Sequence, residues 1–200
     1  MVRLFSLMLM LILSWTATAA EKILILGDSL SAGYNMPAEQ AWPSLLPDVL
    51  KTYGKDVQVI NASISGDTTG NGLARLPDLL TTHSPDWVLI ELGANDGLRG
   101  FPPKTIAANL SRMIQKTKAA GAKPALMQIR VPPNYGKRYS QAFFDLYPTL
   151  AEHQQVPLLP FFLEQVITKP EWMMQDGLHP TADAQPWIAE FVAEMFSKHL

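Results

Sequence analysis

The sequence predicts an α/β fold, a three-layer α/β/α sandwich built around a parallel five-stranded sheet. Three observations predict it. Strand-like runs alternate with helix-like runs along the chain, which implies parallel strands joined by helical crossovers. Each glycine-bearing polar segment follows a strand-like run, and right-handed crossovers bring such segments to one edge of the sheet. The chain has 200 residues, 48% of them apolar, enough for one sizeable core and too few for two comfortable domains.

The elements follow in order. Residues 22–26 form the first apolar strand, ending abruptly at Gly27-Asp28-Ser29. Residues 42–51 read as a helix, with Trp42, Leu45, Leu46, Val49 and Leu50 at helical spacing. Residues 57–61 are a second strand, 70–80 a helix and 87–92 a third strand. Residues 105–120 form a long amphipathic helix, stopped by Gly121 at the position where a left-handed residue ends helices. Residues 123–129 are a fourth strand, followed by the loop Pro132-Pro133-Asn134-Tyr135-Gly136. A helix over 140–152, a short fifth strand over 156–159 and a closing helix over 182–198 complete the series. No internal repeat, low-complexity tract or domain boundary interrupts it.

The amino terminus stands apart. Arg3 precedes an apolar run over residues 4–13, and Ala17-Thr18-Ala19 follows. A positive start, a short apolar centre and an A-x-A site read as a secretory signal peptide over residues 1–20, with cleavage after Ala19 or Ala20. The run falls short of the ~20 apolar residues a membrane span needs. A single domain over 21–200 is therefore expected in the periplasm or outside the cell, with no stable membrane anchor.

Composition excludes several classes. The formal charge is −2 and no basic stripe exists, so a nucleic-acid partner is not expected. There is no cysteine, which removes disulfides, thiolate metal sites, a lipoprotein anchor and a cysteine nucleophile. Covalent acyl chemistry must fall to an oxygen nucleophile.

Ser29 is that candidate. It sits at a strand's carboxyl end, where open α/β sheets bind ligands. A serine in such a turn also suits a helix N-cap. Serine needs a base to take its proton and a third group to orient that base. Asp176-Gly177-Leu178-His179-Pro180 supplies both. His179 is followed by proline, which pushes it into extended backbone at the lip of the last helix. A neutral imidazole accepts a proton near neutral pH. His83, His153 and His199 lie in a turn or in polar helix ends and read as surface residues. Asp176 can reach the imidazole Nδ1 through one tight turn that Gly177 makes easy, although an Asp-Gly pair also suits a plain turn.

Gly66 and Asn95 are candidate oxyanion donors. Glycine lets a backbone N–H approach closely, and asparagine carries a neutral NH₂ donor. Each also fits an ordinary loop. Leu73, Leu76, Leu79, Leu80, Ile106 and Leu110 either line an acyl groove or pack the helix core. The 132–136 loop is a further candidate wall.

Taken together, Gly27-Asp28-Ser29-Leu30, Gly66, Gly93-x-Asn95-Asp96 and Asp176-x-x-His179 resemble the four blocks of the SGNH (GDSL) hydrolase superfamily, in the same order. The longer stretches Gly27-Asp28-Ser29-Leu30-Ser31-Ala32-Gly33-Tyr34, Asn61-Ala62-Ser63-Ile64-Ser65-Gly66-Asp67-Thr68, Gly72-Leu73-Ala74-Arg75-Leu76-Pro77 and Leu126-Met127-Gln128-Ile129-Arg130 are similar to its periplasmic multifunctional thioesterase, protease and lysophospholipase branch. The likeness runs from Lys22 to the final helix.

The resemblance implies a flavodoxin-like sandwich with Ser29 as nucleophile, His179 as base and Asp176 as its partner. It implies an oxyanion hole of the Ser29 N–H, the Gly66 N–H and the Asn95 side chain. It implies hydrolysis of acyl thioesters and carboxylic esters, lysophospholipids included, with limited action on amino-acid esters and amides. The expected partner is a small acyl ester or thioester, the expected state a monomer, and neither metal nor cofactor is required. A carbohydrate-acetyl esterase would share the same residues. A flavin-binding or receiver-type module would share the architecture, but Asp28 is an awkward neighbour for a phosphate. A metal site from Asp28, Asp96, Asp176 and His179 is the remaining alternative.

Overall fold

A computed structural model describes residues 20–200. The proposed signal peptide lies outside the described residues, apart from Ala20. Five parallel strands form one sheet in the order β2-β1-β3-β4-β5. They are β1 (Glu21–Gly27), β2 (Val57–Asn61), β3 (Trp87–Glu91), β4 (Lys123–Met127) and β5 (Leu158–Leu159). Ile23 through Leu26 and Val88 through Ile90 are all fully buried. Strands covered on both faces read as continuous apolar runs, and these do.

The helices are α1 (Ser29–Ala32), α2 (Trp42–Thr52), α3 (Thr69–His83), α4 (Ala94–Leu98), α5 (Pro103–Ala119), α6 (Lys137–Gln154), α7 (Leu163–Val166) and α8 (Gln185–Phe196). Helix α2 packs on α8, α3 on α5, and α5 on α6. Each long helix turns a helically spaced apolar stripe inward: Trp42, Leu46 and Leu50 on α2, and Ile106, Leu110, Met113 and Ile114 on α5. Fully burying one such side chain contributes about 1.5–3 kcal/mol. Thr68 and Asn71 form a reciprocal capping box at the start of α3. Gly121 follows α5 with φ +84°, the left-handed stop its position predicts. Among the described residues no helix is long and apolar enough to cross a membrane.

The structure differs from the expected elements in several places. Strand β5 is two residues long, because Pro157 has no N–H to donate and Val156 N turns back to Ala151 O at 3.0 Å. Residues 182–184 form a 3₁₀ turn that precedes α8 instead of its first turn. Helices α1 and α4 occupy segments expected to be loop, and each begins within three residues of a strand end.

The topology positions the site. From β1 the chain crosses to β2 on one side and then to β3 on the other. The crevice outside the carboxyl ends of β1 and β3 is this sheet's switch point, where open α/β sheets bind ligands.

Candidate active site

Ser29 is the first residue of α1, two residues past the end of β1. The N-cap is Asp28, not Ser29. Its Oδ1 accepts from Leu30 N at 3.1 Å, which leaves the serine hydroxyl unused by the cap. Gly27, the last residue of β1, has no room for a side chain. A Cβ on it would lie 2.7 Å from Glu91 Oε2 and 2.8 Å from Ser63 Oγ.

The base comes from the segment before α8. Gly177 adopts φ +66°, and Asp176 Oδ1 accepts from the backbone N–H of Leu178 at 2.9 Å and of His179 at 3.0 Å. This tight turn aims the second carboxylate oxygen at the ring, 2.7 Å from His179 Nδ1. His179 Nε2 lies 2.8 Å from Ser29 Oγ, across 150 residues of sequence. With Nδ1–H donating to the carboxylate, Nε2 carries the lone pair and accepts the serine proton. Burial alone would raise the Asp176 pKa, but hydrogen bonds from Leu178 N and from the His179 side chain and N–H outweigh it and bring it down to about 2. Asp176 is thus a carboxylate at neutral pH.

Asn95, near the start of α4, lines the same cavity as Ser29 and His179. Its Nδ2 donates to Asp28 Oδ2 at 3.1 Å and to Asp67 O at 3.0 Å. An oxyanion would share the Asn95 N–H with one of these acceptors or displace that acceptor. The Gly66 loop is drawn to the same edge by Ile64 N donating to Gly27 O at 3.1 Å, and Arg75 Nε holds Asp67 Oδ2 at 2.8 Å. Gly66 itself is exposed with φ +85° and is not among the residues that line the cavity. Asp96 is engaged by Thr69, from N at 2.8 Å and from Oγ1 at 2.6 Å, so it is turned to α3.

Two buried carboxyls lie beside the nucleophile; the sequence offered Asp28 only as a candidate metal ligand and an awkward neighbour for a phosphate, and Glu91 escaped it. Glu91 closes β3, fully buried, and its Oε2 accepts from Ser31 Oγ at 2.7 Å and from Asp28 N at 3.4 Å. Burial, then the charge of Asp28, pushes its pKa well up, against the hydrogen bonds from Ser31 and Asp28. Burial likewise pushes Asp28 up to about 7, against hydrogen bonds from Leu30 and Asn95 and with Asp67 and Asp96 adding to the rise. Two like charges in a dry site cannot both ionise freely. The signal for Glu91 was there: one charged residue ending an otherwise apolar strand.

A cavity of about 1000 Å³ opens from Ser29 and His179. Its apolar wall includes Leu98, Val131, Phe144, Phe161, Ile167 and Leu178. Arg130, which stacks over Phe144 and pairs with Glu164, edges it. Of the expected groove residues, Leu73, Leu76, Leu80, Ile106 and Leu110 are buried core and Leu79 packs half-buried against them. None lines the cavity. From the 132–136 loop, Pro132 does.

This fold and constellation define a serine-hydrolase site, with a serine, a histidine and a carboxylate in one hydrogen-bonded line. Residues 25–185 match the GDSL-like Lipase/Acylhydrolase family, and the chain belongs to that family. It is 71% identical to an arylesterase of Vibrio mimicus over 200 residues, covering 100% of both chains. It is 56% identical over 185 residues to thioesterase 1/protease 1/lysophospholipase L1 of Escherichia coli, covering 92% of this chain and 88% of that one. The crystal structure of the psychrotrophic esterase EstA from Pseudoalteromonas sp., inhibited by monoethylphosphonate, superposes with a TM-score of 0.86 at 46% identity. That match covers 89% of this chain and 97% of EstA.

Proposed function

We propose that this protein is a serine hydrolase that cleaves acyl thioesters and carboxylic esters through an acyl-serine intermediate. The hydrogen-bonded line Asp176–His179–Ser29 carries the reading. Ser29 Oγ attacks the acyl carbonyl as His179 Nε2 takes its proton. Asp176 holds the ring's tautomer and favours the imidazolium that forms. The carbonyl oxygen becomes anionic and is received by the Ser29 N–H, the Gly66 N–H and the Asn95 Nδ2–H. His179 returns the proton to the departing alcohol or thiol. Water, deprotonated by the same nitrogen, then attacks the acyl-serine and releases the carboxylic acid.

The apolar cavity favours acyl chains over a lone acetyl group, and the relatives' names, arylesterase and thioesterase 1/protease 1/lysophospholipase L1, support the substrate class. Residues 1–20 are a cleaved signal peptide, residues 21–200 a single hydrolase domain, and the mature protein a periplasmic or secreted monomer.

Mass spectrometry after fluorophosphonate treatment tests the centre of this reading. The label is expected on Ser29 alone. Ser29→Ala is expected to lose the label and at least ~10³-fold in kcat on p-nitrophenyl butyrate and on an acyl-CoA. Undiminished turnover by Ser29→Ala overturns it. Amino-terminal sequencing of the exported protein checks the leader, and an intact Met1 refutes cleavage.

A further inference from the structure

Five residues beyond Ser29, the chain brings Tyr34 onto the face of His179. The two ring centroids are 4.1 Å apart and the planes 24° from parallel. Gly33 produces this placement. It ends α1 in the left-handed conformation, φ +79°, and a Cβ there would crowd Ala41 Cβ at 3.0 Å. One short segment thus delivers both the nucleophile and the ring beside its base.

The imidazole needs that neighbour. Its two hydrogen bonds are made at the ring edge, from Nδ1 and Nε2, and act in the ring plane. They resist tilting of the ring out of that plane poorly. The turn that carries the ring supplies little packing, since Asp176, Gly177 and Leu178 are all exposed. An aromatic ring stacked on the imidazole blocks the out-of-plane motion. Its electron-rich face also attracts a cation, and the imidazole becomes one when Ser29 loses its proton.

We propose that Tyr34 is a positioning residue for His179, aligning the imidazole with Ser29 Oγ and favouring the imidazolium of the transition state. The ring does this, not the hydroxyl, which makes no hydrogen bond among the described residues. The inference rests on the reading of His179 as the base.

The test compares wild type, Tyr34→Phe, Tyr34→Leu and His179→Ala on p-nitrophenyl acetate, whose acyl group is too short to use the apolar wall. Tyr34→Phe is expected to keep kcat within about twofold. Tyr34→Leu is expected to lose roughly two- to thirty-fold in kcat, the range of an aromatic–cation contact, with KM nearly unchanged. NMR supplies a signature that a merely structural role would not produce. The carbon-bound ring protons of His179 are expected upfield in wild type and Tyr34→Phe, and to relax downfield in Tyr34→Leu.

A loss confined to KM would make Tyr34 a wall of the substrate site and overturn the proposal. So would an equal kcat loss in Tyr34→Phe, an unimpaired Tyr34→Leu, or wild-type His179 protons without the upfield shift. The last is read on the native protein and does not depend on any variant folding. Full activity in His179→Ala would overturn the reading of the base itself. An inactive His179→Ala beside an unimpaired Tyr34→Leu would overturn the stacking role alone.

Discussion

Asn95 Nδ2 donates to Asp28 Oδ2 at 3.1 Å, joining the segment after β3 to the residue that precedes the nucleophile. Asp28 in turn caps α1 through Leu30 N and rests its own N–H on Glu91. The nucleophile's backbone, the amide donor and a buried acid pair therefore form one network. A change in any of them reaches Ser29 without touching it.

Asn95→Ala removes a side-chain donor from the proposed oxyanion site. A fall in kcat of about 10²–10³ is expected, in line with loss of one such donor elsewhere. Steady-state kinetics on p-nitrophenyl butyrate reads it. A variant within threefold of wild type would leave Asn95 with a structural role only.

The acid pair makes stability fall as pH rises. Asp28 has its pKa lifted from 3.8 to about 7, so between those values the folded chain holds a proton that the unfolded chain has released. More protons on the folded state means stability is lost with rising pH through that window. Glu91 is shifted in the same direction. Urea midpoints at pH 5 and pH 8 are expected to differ, with the protein weaker at pH 8. Asp28→Asn is expected to flatten that slope by about 1 kcal/mol or more.

Asp176 works in the opposite sense. Its folded-state pKa is lowered to about 2. Its contribution is present above the ordinary carboxylate range and fades as pH falls through about 2. Asp176→Asn is therefore expected to lose the acid-side part of the stability profile while leaving the slope toward pH 8 intact. The same pair of denaturation series, extended to pH 3, checks this.

Gly93→Ala should be costly in a way its neighbours are not. Gly93 has φ +126°, and a Cβ there would fall 2.1 Å from Tyr147 Oη, which donates to Leu92 O at 2.9 Å. Backbone strain and overpacking together are expected to cost roughly 2–5 kcal/mol. Thermal unfolding measures the loss. Activity should fall with it, because Asn95 lies two residues on.

The cavity sets a dependence on acyl length. From acetyl upward, kcat/KM on p-nitrophenyl esters is expected to rise by up to ~4-fold per added CH₂, the transfer value for a buried methylene. Ile167 lines the cavity and is 55% exposed, so Ile167→Asp should not disturb the core. It is expected to lower activity on long esters and leave the acetyl ester unchanged. A flat series in the native protein would mean that the apolar wall does not hold the chain.

The parallel sheet and the meeting of Ser29, His179 and Asp176 were legible because their signals are local or periodic. An apolar run stopping at Gly27-Asp28-Ser29 marks a strand end whatever packs around it. Asp176-Gly177-Leu178-His179 encodes its own turn. Alternation of strand and helix then carries all these segments to one edge. Helices α1 and α4 were not legible, since four or five residues span little more than a turn and show no helical period.

The same limit hid what each apolar or charged side chain meets. Leu73 and Leu76 face the core while Phe144 and Ile167 face the cavity, and nothing in their chemistry distinguishes them. Glu91 became a buried acid because β1 and β3 lie side by side, and Tyr34 became a neighbour of His179 because Gly33 turns the chain. Periodicity says which face of an element is apolar. What stands opposite that face depends on contacts between residues far apart in the chain, and these exist only once the layers have packed.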